Sequence, residues 1–168
     1  MVPRLVKNVS PAWLGASQAH EKAAFLPEAD GAQSGTSVDS QAGKGRKILV
    51  VDDNPIVLKA FEMRLKRDGF FVSTLKDATA VASIAAQDQV ELIILDVCFP
   101  PGPEMVWDGF SVLQWLKRFP ELSAIPVIMI SSNGAQYKEK AQQAGAVAFF
   151  EKPVDYQALL AVIQQVLH

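Results

Sequence analysis

Ile48-Leu49-Val50-Val51-Asp52-Asp53-Asn54-Pro55 sets an apolar run, an acidic pair and a helix-start signal side by side. Consecutive apolar residues, without alternation, predict a strand buried on both faces. Asn54 and Pro55 open a helix carrying apolar Val57, Ala60, Phe61 and Leu65, and Gly69 stops it. One strand-helix unit with acids at the junction is therefore legible in this stretch alone.

The same rhythm recurs downstream. A second strand is predicted over Phe70–Leu75 and a second helix over Asp77–Ala86. Leu92-Ile93-Ile94-Leu95 makes a third strand that runs directly into Asp96, and a loop rich in Pro and Gly follows. A third helix is expected over Phe110–Phe119, a fourth strand over Val127–Ile130, and a fourth helix over Gln136–Ala144, stopped by Gly145. Ala146–Phe150 reads as a fifth strand and Lys152-Pro153 as a turn. Asp155 caps a last helix whose Leu159, Leu160, Ile163 and Leu167 share one face. Five units with doubly buried strands predict an α/β fold: an open, doubly wound, five-stranded parallel sheet covered by five helices.

Upstream the texture differs. Residues 1–45 are rich in Ala, Gly, Ser and Gln and lack sustained periodicity, so they read as a flexible N-terminal extension, with the folded domain spanning 46–168. Within the extension, Ser10-Pro11 offers a start for a short helix bearing Trp13, Leu14 and Phe25. At 168 residues and 49% hydrophobic, the chain is long enough for one substantial core. Its 16 Lys and Arg against 18 Asp and Glu lack the basic excess that nucleic acid or an anionic membrane selects, so neither is an expected direct partner. No apolar run approaches membrane-spanning length. Cys98 is the single cysteine, and with only His20 and His168 beside it no soft-ligand zinc site assembles. A reducing cytoplasm is the expected location.

In open α/β sheets, functional groups gather beyond the carboxyl ends of the strands. Those ends carry Asp52 and Asp53, Asp96, Ser131 and Ser132, and Lys152. Three crowded carboxylates repel one another unless a cation sits among them, and a hard divalent ion such as Mg²⁺ suits an all-oxygen set. One acid can then attack a phosphoryl group while the ion and a lysine neutralise the transferring oxygens. Asp96 is the expected nucleophile, since its strand is central and the following loop leaves its carboxylate exposed. Lys152 and Ser131 would each hold a phosphoryl oxygen.

Ile48-Leu49-Val50-Val51-Asp52-Asp53-Asn54-Pro55, Leu92-Ile93-Ile94-Leu95-Asp96, Ile125-Pro126-Val127-Ile128-Met129-Ile130-Ser131-Ser132 and Lys152-Pro153 together resemble the receiver domains of two-component response regulators, over roughly residues 46–168. The resemblance implies a flavodoxin-like strand order, 2-1-3-4-5. It implies that a histidine kinase or phosphotransfer protein phosphorylates Asp96, and that the domain assists its own phosphorylation and dephosphorylation without being an enzyme toward other substrates. It further implies Mg²⁺ (or Mn²⁺) held directly by Asp53, Asp96 and the backbone carbonyl of Cys98, with Asp52 acting through water. In the implied switch Ser131 moves toward the phosphoryl group and Phe149 turns inward. The fourth helix, fifth strand and fifth helix would then form the readout face, for an unknown downstream protein or for a homodimer.

This chain departs from the family pattern in the long loop 97–108 with its Trp107, in Phe99 where methionine is common, and in Ser132 where alanine is common. None of these removes a reactive group. Two rival functions use the same residues. A metal-dependent phosphohydrolase also employs an aspartyl nucleophile, but typically in an Asp-x-Asp pattern after the first strand. A phosphate-independent scaffold would have no use for the five reactive residues retained here.

Overall fold

The computed structural model describes residues 45–99 and 108–168. The expected helix with Trp13, Leu14 and Phe25, the extension as a whole and Trp107 lie outside the described residues. Five strands, β1 (Lys47–Val51), β2 (Phe71–Leu75), β3 (Leu92–Asp96), β4 (Val127–Ser131) and β5 (Ala148–Glu151), form one parallel sheet in the order β2-β1-β3-β4-β5. Helices α1 (Pro55–Arg67), α2 (Val81–Gln87), α3 (Gly109–Leu116), α4 (Pro120–Ser123) and α5 (Gly134–Gln143) lie in the crossovers, and α6 (Tyr156–Leu167) follows β5.

Alternate residues of each central strand feed opposite faces, because side chains on a strand have a period of two. Ile48, Val50, Leu92, Ile94, Ile128 and Ile130 pack against α1 and α6 through Leu58, Phe61, Leu65, Leu159 and Ile163. Leu49, Val51, Ile93, Leu95, Val127 and Met129 pack on the other face against α2, α3 and α5. Each fully buried Leu or Ile contributes about 2 kcal/mol of transfer free energy. Every residue of β3 and β4 is buried, which is why those strands read as unbroken apolar runs. β2 is an edge strand, and its Phe71 is exposed.

The helix boundaries follow local chemistry. Asn54 caps α1 by accepting from Ile56 N, and Gly69 and Gly145 take the positive φ that ends α1 and α5. Four boundaries and the helix count are corrected. The third helix ends at Leu116 rather than Phe119, and a separate sixth helix, α4, starts at Pro120. Proline disfavours the helical conformation for the residue before it and suits the first helical turn, so Phe119 is extended and helix restarts after it. The second helix begins at Val81 rather than Asp77, because the Asp77 carboxylate accepts from Thr79 N and its hydroxyl and makes a turn. The fourth predicted helix, α5, starts two residues early at Gly134, and β5 starts two residues late at Ala148.

Candidate functional site

β1, β3 and β5 deliver their acids and lysine to one edge because all strands run parallel and end level with one another. A carboxylate oxygen from each of Asp52, Asp53 and Asp96 lies within 4.8 Å of one from each of the others. Asp52 is fully buried and Asp53 exposed. Both oxygens of Asp52 are engaged: Oδ1 accepts from Asn54 N at 2.9 Å, and Oδ2 accepts from Lys152 Nζ at 2.7 Å. The same amine stands 2.9 Å from Asp96 Oδ1.

That second contact is an ion pair without hydrogen-bond alignment, so Asp96 Oδ1 remains a buried oxygen lacking a directed donor. A hard cation would satisfy such an atom, and three carboxylates in reach of one another are a donor set that Mg²⁺ accepts. Burial pushes the Asp96 pKa up, offset in part by Lys152 and by the Cys98 backbone. For Lys152, burial opposes the charge, but the combined pull of Asp52 and Asp96 outweighs it and raises the pKa. The amine is therefore cationic at neutral pH.

The expected exposure of Asp96 is corrected: its side chain is 4% exposed. The Lys152 amine covers it from one side. At the backbone of the same residue, α3 begins so close that a Cβ on Gly109 would lie 2.2 Å from the Asp96 carbonyl oxygen. Gly109 N donates to Val97 O at 2.8 Å, which docks the start of α3 directly behind the acid.

Ser131 ends β4 fully buried, its Oγ accepting from Asn133 N at 3.2 Å. Lys152 N donates to Ser131 O at 2.8 Å, which joins the strand ends that carry the amine and the hydroxyl. Phe149 is half-buried against the core on the α5 side. The Cys98 side chain is exposed, Phe99 packs partly on the core, and Ser132 is exposed. Trp115 on α3 meets Phe119 edge-to-face at 4.9 Å between centroids. Beside the acids, α1 and the turn after β5 enclose an apolar groove of about 220 Å³ whose wall includes Val57, Ala60, Val154 and Lys152. The Lys152–Pro153 peptide at its rim is cis.

Sequence reading missed Gly109 and Glu151. The former was visible only as the end of a loop. The latter makes its contact with a residue 17 positions away, and no local pattern signals that.

A parallel sheet in this order, with acids and a lysine at the carboxyl ends of its strands, defines an aspartate-bearing α/β module of the flavodoxin-like class. Residues 48–164 match the response regulator receiver domain, and the chain belongs to that family. The transcriptional regulator RpaA of Synechocystis is 32% identical over 123 residues, covering 72% of this chain and 48% of RpaA. The response regulator PleD of Caulobacter vibrioides is 34% identical over 119 residues, 70% of this chain and 25% of PleD. The chain thus spans half or less of these two relatives, whereas it covers 97% of the protein PilH of Pseudomonas aeruginosa at 29% identity. A response regulator from Desulfuromonas acetoxidans superposes with a TM-score of 0.63 at 28% identity, covering 73% of this chain and 96% of that one. The chemotaxis protein CheY4 of Vibrio cholerae shares the fold, with a TM-score of 0.64 at 24% identity over 72% of this chain and 98% of its own. Among the described residues no helix is long and apolar enough to cross a membrane.

Proposed function

We propose that residues 46–168 form a receiver unit that takes a phosphoryl group onto Asp96 from a histidine kinase or phosphotransfer protein, and thereby switches the binding of a further protein. One observation carries this reading: three carboxylates within 4.8 Å of one another share an edge with an amine that touches two of them. A buried acid gathered with two others and a lysine at the carboxyl edge of a parallel sheet is the arrangement that functional sites use.

The roles follow from the contacts. Asp52 is committed to Lys152 and to the backbone of Asn54, so Asp53, exposed, and Asp96 have oxygens to offer Mg²⁺, with the Cys98 carbonyl as a further ligand. Bound there, the ion would neutralise charge on the transferring phosphoryl oxygens. Lys152 holds Asp96 in place beforehand and afterwards takes a phosphoryl oxygen. Ser131 hydrogen-bonds another oxygen, and Phe149, half-buried against the core, turns inward as the hydroxyl moves. Residues 1–45 are an extension of this unit. The apolar groove beside Lys152 gives a phosphodonor protein a landing surface adjacent to the acid. Readout would pass through α5, β5 and α6, to a downstream protein or a second copy of the chain.

The test is intact mass after incubation with an acyl phosphate and Mg²⁺. The wild-type chain gains one phosphoryl group and the Asp96→Asn chain gains none. A phosphoryl group retained by the variant, or absent from both, would reject Asp96. Sustained hydrolysis of small phosphomonoesters would point to a phosphohydrolase instead.

A further inference from the structure

We infer that Glu151 is a positioning residue that ties α5 to the strand carrying Lys152, so that rearrangement at Asp96 is transmitted to α5; this rests on the phosphoacceptor reading above. Glu151 is the last residue of β5, next in the chain to Lys152 and directly opposite Ser131 in the β4–β5 register. Paired residues of adjacent strands point to the same face. Glu151 and Ser131 thus both project toward the start of α5.

The first turn of a helix has backbone N–H groups with no partner inside the helix. Asn133, the residue in capping position on α5, provides no side-chain acceptor. The acceptors come from the strands instead. Ser131 Oγ accepts from Asn133 N at 3.2 Å, and Glu151 Oε1 accepts from Gly134 N at 3.2 Å. An anionic oxygen at this end of a helix is also favoured by the helix dipole.

Gly134 makes room for that carboxylate. A Cβ there would lie 2.4 Å from Glu151 Oε2 and 2.9 Å from Glu151 Cβ, so any side chain at 134 would displace Glu151. Beyond these, α5 is held through its buried Gly134 and Ala141 among the described residues, through Tyr137 resting on Phe110 at 5.6 Å between centroids, and through Lys140 over the same ring at 4.0 Å. The Tyr137, Lys140 and Ala141 contacts lie further along the helix, and the Ser131 and Glu151 ties hold its first turn.

The two tethers respond differently to phosphorylation. Ser131 is the residue that turns toward the phosphoryl group, so the tie through Asn133 is the one that rearranges. Glu151 remains, and it is covalently joined to Lys152, whose amine moves onto the phosphoryl oxygen. Motion of the β5 end is thereby carried into α5 by a carboxylate that never touches the reacting atoms. Coupling of this kind needs a two-state element biased from the site, and the start of α5 is that element.

The experiment follows amide NMR shifts of residue 134 and Tyr137 on adding beryllofluoride with Mg²⁺, alongside the mass of acyl-phosphate-treated protein, for wild type, Glu151→Ala, Glu151→Gln and Gly134→Ala. Glu151→Ala is expected to cut the α5 shift response to less than half while Asp96 still gains its phosphoryl group to within twofold of wild type. Glu151→Gln keeps an acceptor oxygen and retains most of the response. Gly134→Ala, which displaces the carboxylate, behaves like Glu151→Ala, and combining the two adds little further loss. Glu151 is exposed, so its substitution spares the core and both Glu151 variants fold. An undiminished response in Glu151→Ala, or no rescue by Glu151→Gln, would overturn the inference with the phosphoacceptor reading intact. A wild-type chain that gains no phosphoryl group would overturn both.

Discussion

Replacing Lys152 by methionine removes the cation that stands 2.7 Å from Asp52 and 2.9 Å from Asp96 while leaving a side chain of similar length to fill its space. Breaking a buried pair by deleting one partner costs about 3–5 kcal/mol, because the remaining charge is left desolvated and uncompensated. Asp52 is fully buried, but the Lys152 side chain is 22% exposed, so water softens the loss. The lower end, about 3 kcal/mol, is the expected destabilisation in chelator at pH 7. For a domain of this size that corresponds to roughly 10 °C in Tm. Urea unfolding followed by far-UV circular dichroism measures it. Two controls sharpen the result. Adding Asp96→Asn to the variant removes one of the stranded charges and is expected to recover about 1–2 kcal/mol. Saturating Mg²⁺ supplies a replacement cation and shrinks the deficit. A loss below about 0.5 kcal/mol in chelator, the size seen for exposed pairs, would mean that Lys152 is an ordinary solvated charge and that the site is misread.

Gly109→Ala forces a Cβ against the backbone of Asp96 and Val97, which no rotamer change can relieve, and is expected to cost about 2–4 kcal/mol in thermal or urea unfolding and to slow phosphorylation by an acyl phosphate. Mg²⁺ raises Tm of the wild-type chain by ligand linkage, and Asp53→Asn, at an exposed position, removes most of that rise while leaving the Tm in chelator within a degree or two, as scanning fluorimetry would report. Tyr156→Phe leaves Asp68 without the hydroxyl that donates to it at 2.6 Å, costing about 1–2 kcal/mol at neutral pH. Burial and Asp68 raise the Tyr156 pKa above its ordinary value of 10.0, so the folded state keeps a proton that the unfolded chain releases. Stability from this residue is therefore complete below pH 10 and declines as pH climbs above it, a slope that Tyr156→Phe abolishes in Tm measured against pH. Ala60→Arg, on the groove beside Lys152, is expected to lower phosphoryl transfer from a protein donor severalfold and leave the acyl phosphate reaction unchanged, and equal effects on both would argue against donor docking there.

What could be read without coordinates was whatever depends on neighbours in the chain. Apolar runs such as Ile48–Val51 announce strands because burial on both faces leaves no position for a polar side chain, and Asn54-Pro55 and Gly69 bound α1 because capping and left-handed backbone are local demands. Asp52, Asp53, Asp96 and Lys152 were legible as one cluster for the same reason: each follows a strand, and parallel strands end on one side. Folding together decided the rest. Phe119-Pro120 splits a helix that periodicity alone would run through, and Asp96 is covered by Lys152 and its backbone crowded by the start of α3, elements distant from it in sequence. The partnership of Glu151 with Gly134 exists because the register sets β5 beside β4 and brings a strand end against the first turn of a helix. Hydrophobic pattern and capping act over a few residues and are written in order along the chain, whereas close approach between segments is set by register and packing, which only the assembled sheet and its helices define.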